Sequence, residues 1–238
     1  MQAIKLSDLN DNVAIITGAS SGIGRYCAIE LSKLCNHIYI IGRNISGLEE
    51  TNDEVIKNSC ECTIVPIDLT KQGVIKELSN KIFEKHQRLD ILISAAGIIN
   101  NLSPVSSIKE EDAEKIFKTN YLANINLIQS FHPLLNLSKN GRVVVISSIN
   151  KEINKPFWAG YSPIMSALNE LVLTYAEENK NTNIKTNLVC PIAVDTEFRN
   201  TFMPGEDKAK IMTPSEFSLK FIELFKTKFN QNGMIYSI

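Results

Sequence analysis

Val13-Ala14-Ile15-Ile16-Thr17-Gly18-Ala19-Ser20-Ser21-Gly22-Ile23-Gly24 runs from an unbroken apolar stretch into a loop with three glycines. Continuously apolar residues mark a strand buried on both faces, as a parallel sheet covered by helices requires. Residues 21–35 then take up amphipathic helical spacing, so the loop joins a strand to a helix. In that position Gly18 permits the sharp turn, Gly22 lets backbone approach a pyrophosphate, and Gly24 lets the helix pack closely. The helix start adds free N–H donors and the positive end of its dipole. Thr17, Ser20, Ser21 and Ile23 belong to the same candidate phosphate site. The spacing TGxxxGxG is neither GxGxxG nor the GK[ST] loop of nucleotide triphosphatases.

Outward from this loop, short β-branched runs alternate with longer helical ones. Strands are expected over residues 12–17, 37–41, 63–66, 90–94, 142–147 and 183–189, with a short closing strand over 233–236. Helices are expected over residues 21–35, 45–58, 71–86, 160–178 and 214–228, and two helical stretches between 109 and 137. This alternation predicts an α/β fold, a doubly wound parallel sheet of about seven strands with helices on both faces. No repeat or Pro/Ser-rich linker interrupts it, so residues 1–238 read as a single domain.

The chain has 238 residues, 44% of them hydrophobic, with 25 basic and 26 acidic side chains and a net charge of −1. That balance gives no field to attract nucleic acid or an anionic membrane. The first residues lack the apolar core of a signal peptide, and no apolar run approaches a bilayer's thickness. The expectation is a cytoplasmic protein with neither nucleic acid nor membrane as partner. Five scattered cysteines fit a reducing compartment, and no Cys/His set completes a zinc site, so no metal is expected.

The glycine segment resembles that of the short-chain dehydrogenases/reductases, and the resemblance continues along nearly the whole chain. Ser94-Ala95-Ala96-Gly97 stands where that family has an NNAG-like motif, Asn120 where it keeps an asparagine, and Ser148 and Tyr161 at its thirteen-residue spacing. Pro191 through Thr196, including Val194, stands where the family has PGxxxT. The resemblance implies a seven-stranded Rossmann-like sheet and a nicotinamide dinucleotide cofactor. It also implies hydride transfer to or from a small-molecule carbonyl or alcohol, and a homodimer or homotetramer.

NAD-preferring relatives place an acidic residue at the end of the second strand. Here Gly42 occupies that place and Arg43 follows, which favours NADP(H) over NAD(H), because a guanidinium binds a 2′-phosphate. Arg43 could equally be an exposed strand-end residue, and Arg25 is a candidate to assist it. Asp68 looks like the family residue that meets the adenine amino group, and it could also be the N-cap of the next helix.

By the same resemblance Tyr161 transfers the proton, Ser148 holds the substrate oxygen, and Asn120 organises water. The family lysine falls four residues after the tyrosine, and Met165 stands there. A cation about 5 Å from the phenol, at an effective dielectric near 20, contributes roughly 3 kcal/mol, or about two pKa units. Without it the phenol keeps a pKa near about 10 before any shift from burial. Ile164 replaces a small residue, and Ile192 replaces the glycine after Pro191, where a branched side chain would crowd the cofactor or redirect the backbone. Lys151 and Lys155 are candidates to substitute for the lysine.

Trp158 and residues 199–211 stand where the family lines and covers its substrate pocket, although Trp158 could simply pack under its loop. The helix over residues 160–178 is apolar on more than one face, as an oligomer contact would be. Two readings stay open: a carbonyl reductase weakened by loss of the lysine, or a catalytically impaired dinucleotide-binding sensor or scaffold.

Overall fold

The computed structural model describes residues 11–148, 155–228 and 230–238. Seven strands form one parallel sheet: β1 (Val13–Thr17), β2 (His37–Gly42), β3 (Glu61–Pro66), β4 (Ile91–Ser94), β5 (Arg142–Ile146), β6 (Lys185–Cys190) and β7 (Ile235–Ser237). Their order is β3-β2-β1-β4-β5-β6-β7. The order reverses between β1 and β4, and an open α/β sheet leaves its ligand crevice beyond the carboxyl ends of such a pair. The register levels those ends, with Thr17 opposite both Ile41 and Ser94, and Ser94 opposite Val145.

The helices are α1 (Gly22–Leu31), α2 (Ile45–Ile56), α3 (Val74–His86), α4 (Glu110–Ile116), α5 (Ala123–Asn136), α6 (Ser162–Glu178), α7 (Glu197–Phe202) and α8 (Pro214–Thr227). Alternating strand residues feed two cores. Val13 and Ile15 join Leu127, Phe131, Leu168 and Val172 on one face, while Ala14 and Ile16 join Phe217, Phe221 and Phe225 on the other. Two-sided burial explains why β1 is apolar throughout.

Asp90 ties the end remote from the crevice. Its carboxylate accepts from the Val13 N–H at 2.9 Å, the Ser138 hydroxyl at 2.5 Å and Arg88 Nε at 3.1 Å.

Several boundaries differ from the sequence expectation. The first helix stops at Leu31 and tightens into a 3-10 turn over Ser32–Leu34. β3 begins two residues early, and α3 starts at Val74 behind Gly73, whose φ of +81° suits a glycine. Asp68 is therefore not a helix cap. Between α4 and α5 the chain widens into a π-helical segment, Phe117–Leu122, which carries Asn120 inward. The helix α7 begins two residues before the segment 199–211 expected to cover the pocket and runs into it.

No helix among the described residues is long and apolar enough to cross a membrane. Nor does any group of three or more His, Cys, Asp or Glu among them suit a metal ion.

Candidate active site

A cleft of about 510 Å³ opens beyond the carboxyl ends of β1, β4 and β5. The glycine loop forms its floor. Gly18 has a φ of +68°, and a Cβ there would lie 2.8 Å from the Ala95 carbonyl oxygen, so turn and close approach both demand glycine. Gly22 has a φ of +52°, and its missing Cβ would sit 3.2 Å from the Thr196 methyl across the cleft. The Ser21 side chain does not cap α1, which leaves the helix's first N–H groups without that partner. Thr17 is fully buried away from the cleft wall. Its hydroxyl accepts from the Ala95 and Ala96 N–H groups at 3.1 and 3.2 Å, so it locks the two strand ends together.

At one end of the cleft lie Gly42, Arg43 and Asp68. A Cβ at Gly42 would meet Ser20 at 3.3 Å, which leaves little room for a larger residue. Arg43 is exposed on the rim and makes no hydrogen bond or ion pair among the described residues. Burial pushes the Asp68 carboxyl up, but bonds from the Thr70 N–H and hydroxyl, with the charges of Arg43 and Lys71, outweigh it and hold the group below the usual carboxylate range. Arg25 does not reach the cleft. Its guanidinium donates to the Ser20 carbonyl at 2.6 Å and the Gly47 carbonyl at 3.1 Å and pairs with Glu50 at 2.8 Å. It braces the loop against α2.

At the other end the cleft brings together Ser148, Tyr161, Asn120 and Met165. Tyr161 sits at the first turn of α6, with Pro163 in the same turn, where its missing N–H is harmless. Burial pushes the Tyr161 hydroxyl up to about 12; the nearby Ser148 hydroxyl pulls the other way, and the Cys190 thiol adds to the rise. Ser148 Oγ is buried, and the Tyr161 hydroxyl is the neighbour it acts on. Asn169, two turns along α6 from Tyr161, holds this corner. It accepts from the Ser147 hydroxyl at 2.5 Å and donates to the Ser148 carbonyl at 3.1 Å.

Asn120 is clamped to residue 98. Its Oδ1 accepts from the Ile98 N–H at 2.9 Å, and its Nδ2 donates to the Ile98 carbonyl at 2.8 Å. The second Nδ2 hydrogen meets the Met165 sulfur at 3.6 Å. Met165 is 5% exposed, so its thioether fills this space.

The remaining expected residues divide. Ala95, Ala96, Gly97, Pro191, Val194, Thr196, Ser20, Ile23, Gly24, Lys155 and Trp158 all line the cleft. Ile164 does not; it packs at the edge of one core. Ile192 does, with its side chain 63% exposed. Its N–H donates to the Ile238 carbonyl at 2.7 Å and its φ is not positive, so isoleucine is accommodated without redirecting the chain. Lys151 lies outside the described residues.

Sequence reading missed two things here: Asn169 and the aromatic cover. Thr196 caps α7 by accepting from the Arg199 N–H at 3.1 Å, and α7 carries Phe198 and Phe202 one turn apart. A threonine cap followed by aromatics four residues apart was the available signal.

A parallel sheet with a glycine loop at its crossover, and a buried tyrosine and serine beyond the neighbouring strand ends, defines a Rossmann-like α/β protein. The family model described as short chain dehydrogenase matches residues 12–207, and the chain belongs to that family of oxidoreductases. An uncharacterized oxidoreductase of Listeria monocytogenes is 30% identical over 200 residues, covering 83% of this chain and 80% of the relative. Among solved structures, a short chain dehydrogenase from Salmonella enterica serovar Typhi matches with a TM-score of 0.90 and 23% identity over 99% of both chains. One from Shigella flexneri, complexed with NADP, matches with a TM-score of 0.89 and 24% identity over 98% of this chain and 99% of the other.

Proposed function

We propose that the protein is an NADP(H)-dependent oxidoreductase that interconverts a carbonyl compound and an alcohol, with Met165 standing where relatives carry lysine. The observation that carries this reading is the buried Ser148 hydroxyl set beside the Tyr161 phenol, in the cleft floored by the glycine loop. A substrate oxygen bound there would accept a hydrogen bond from each of these two hydroxyls.

The cofactor fits these residues. A Cβ at Gly22 would narrow the cleft towards Thr196, Gly18 and Gly24 lack one so that the loop can close on Ala95 and on itself, and Arg43 stands beside that loop. Gly42 offers no carboxylate to repel a 2′-phosphate, and the Shigella flexneri relative in complex with NADP adds support. Bound NADP(H) would supply or accept the hydride. In reduction the Ser148 hydroxyl donates a hydrogen bond to the carbonyl oxygen, and Tyr161 passes its proton to that oxygen as the carbon becomes an alcohol carbon. In oxidation the phenolate takes the alcohol proton back. Asn120 and Asn169 hold the walls in register.

A second reading, a dinucleotide-binding sensor or scaffold with little turnover, is favoured by one observation. The Tyr161 hydroxyl is pushed up to about 12, and the buried thioether beside Asn120 gives it no compensating cation. On either reading we take residues 1–238 as one domain. We also take it as a homodimer or homotetramer in the cytoplasm, where five free thiols would persist.

Calorimetric titration with NADPH and NADH, followed by a carbonyl panel with wild type and Tyr161→Phe, tests the proposal. Tighter NADPH binding with turnover abolished in Tyr161→Phe is the expected result. Equal or tighter NADH binding removes the cofactor assignment, and binding without any turnover favours the second reading.

A further inference from the structure

We infer that the substrate is a neutral carbonyl compound, or the matching alcohol, carrying a planar aromatic group, and that a box of four rings, Tyr161 among them, receives it. The inference rests on the carbonyl–alcohol reading above and adds the substrate class.

The four rings close on themselves. Trp158 meets Tyr161 at 6.1 Å and 65°, Tyr161 meets Phe198 at 6.4 Å and 55°, Phe198 meets Phe202 at 5.8 Å and 81°, and Phe202 returns to Trp158 at 5.3 Å and 78°. These separations fall within the range of favourable edge-to-face and tilted pairs. The rings come from the loop before α6, the start of α6 and the lid helix α7, three segments brought together only by the fold. Phe157, at a φ of +74° and with its carbonyl held by the Ser103 N–H, turns the chain just before Trp158.

All four rings line the cleft, and Phe198 stays 38% exposed there. Ile192 at 63% and Met203 at 40% extend this apolar wall. Such a wall facing solvent at a cleft mouth gains about 25 cal/mol for each Å² that a ligand covers. Polar anchoring at this end is narrow by comparison: the Tyr161 hydroxyl and the buried Ser148 hydroxyl. One substrate oxygen would meet both, so the matching molecule has a single oxygen at the edge of an apolar body.

Charge points the same way. Arg199, the lid's own cation, forms a two-bond pair with Glu206, one contact being Nη2 to Oε1 at 2.7 Å, while its guanidinium lies 5.9 Å from the Phe202 ring centre. It is therefore not presented to a substrate carboxylate or phosphate. Lys155 and Glu197 are both exposed and contribute opposite charges at the rim. A polyol would bury several hydroxyls against ring edges without partners, at a cost for each.

Trp158 is the sole tryptophan of the chain, so its emission reports on the box directly. The experiment titrates the full-length protein with benzaldehyde and acetophenone, and separately with pyruvate and dihydroxyacetone, with and without NADPH. Emission is corrected for absorbance, and NADPH oxidation is followed in parallel. The aryl compounds should perturb Trp158 saturably at concentrations about tenfold lower than the small polar ones. Phe198→Leu and Phe202→Leu should each weaken aryl binding about fivefold while leaving the melting temperature near that of wild type. Equal or tighter binding of pyruvate or dihydroxyacetone overturns the inference, as does unchanged aryl affinity in both folded leucine variants. Saturable aryl binding without NADPH oxidation upholds the box and removes the oxidoreductase reading. Reduction of the small compounds without aryl binding does the reverse.

Discussion

Asn120 cannot be turned over without breaking both of its hydrogen bonds to residue 98, and this fixes which end of its amide faces Met165. The end presented is Nδ2, a donor that suits a thioether acceptor and opposes an ammonium. Met165→Lys would thus place one donor against another in a buried space, and should lower stability by roughly 1–3 kcal/mol, read as a drop in melting temperature. The same change should act on Tyr161. Burial raises that hydroxyl to about 12, so wild type holds it protonated at neutral pH and lacks the phenolate that alcohol oxidation needs. Oxidation by wild type should climb about tenfold per pH unit without a plateau below the limit of fold stability. The lysine variant should bring the apparent pKa down by about two units. An unchanged pH–rate profile in a folded Met165→Lys protein would mean that position 165 does not communicate with the phenol. Arg43→Ala, at an exposed residue that makes no hydrogen bond or ion pair among the described residues, should weaken NADPH about tenfold and NADH hardly at all, measured by calorimetry. A parallel loss of both affinities would show that Arg43 does not contact the 2′-phosphate.

Among the elements, β1, β2, β4 and β5 were legible because burial on both faces leaves a largely apolar run, whereas β6, with Thr186 and Asn187 buried inside it, was expected two residues early at its start. β3 was placed two residues late because Glu61 and Cys62 break that run at a half-buried edge strand. The start of α3 was misplaced because Asp68 imitates a cap, whereas its Oδ1 closes a local turn on Thr70. The loop glycines, Ser148, Tyr161 and Asn120, which the family resemblance picked out, line one cleft. Asn169 was not picked out, since its work is done on residues 21 and 22 positions away. The lid helix α7 is a single short element whose periodicity is one pair of rings, too little to separate from a loop. The Arg199–Glu206 pair ties the helix to the turn that follows it, and hydrogen bonding from Arg199 keeps the Glu206 carboxyl below its usual range. Glu206→Gln removes that charge while keeping the shape. Amides of residues 197–202 should then exchange about tenfold faster, with exchange in β1 and β5 unchanged. Unaltered exchange in α7 would show that the aromatic contacts alone hold the lid.

The molecule as a whole buries weak acids in both cores, and this sets the alkaline limit of its stability. Cys27 and Cys35 are enclosed beside α1, and burial, the first cause in each case, raises both thiols well above the ordinary value of 9.0. Burial likewise pushes Cys60 up to about 11, and Cys62 and Cys190 each to about 12. Tyr161 rises to about 12 and Tyr175 rises further, from an ordinary 10.0. In each case the folded protein retains a proton that the unfolded chain gives up at lower pH. The stabilisation is complete below the unfolded value and is lost as pH climbs through the interval up to the folded value. A proton fully retained by the fold contributes up to about 1.4 kcal/mol per pH unit; since the unfolded thiols are only half ionised at pH 9, two acting together remove about 2 kcal/mol between pH 9 and 10. That is a large share of the 5–15 kcal/mol typical of a folded domain. On the acid side the sign reverses. His37 and His86 are held below 6.5, chiefly by burial and the nearby Lys85 charge, so stability also declines as pH falls below that value. Urea unfolding under reducing conditions should therefore give a plateau between about pH 7 and 8.5, with a midpoint that falls steeply above pH 9. Cys27→Ala deletes one retained proton and should flatten the alkaline limb by up to about 1.4 kcal/mol per pH unit. A midpoint that stays level or rises from pH 9 to 10 would show that these thiols ionise within the folded protein. Full burial of Cys27 at the contact of α1 with the sheet argues against that outcome.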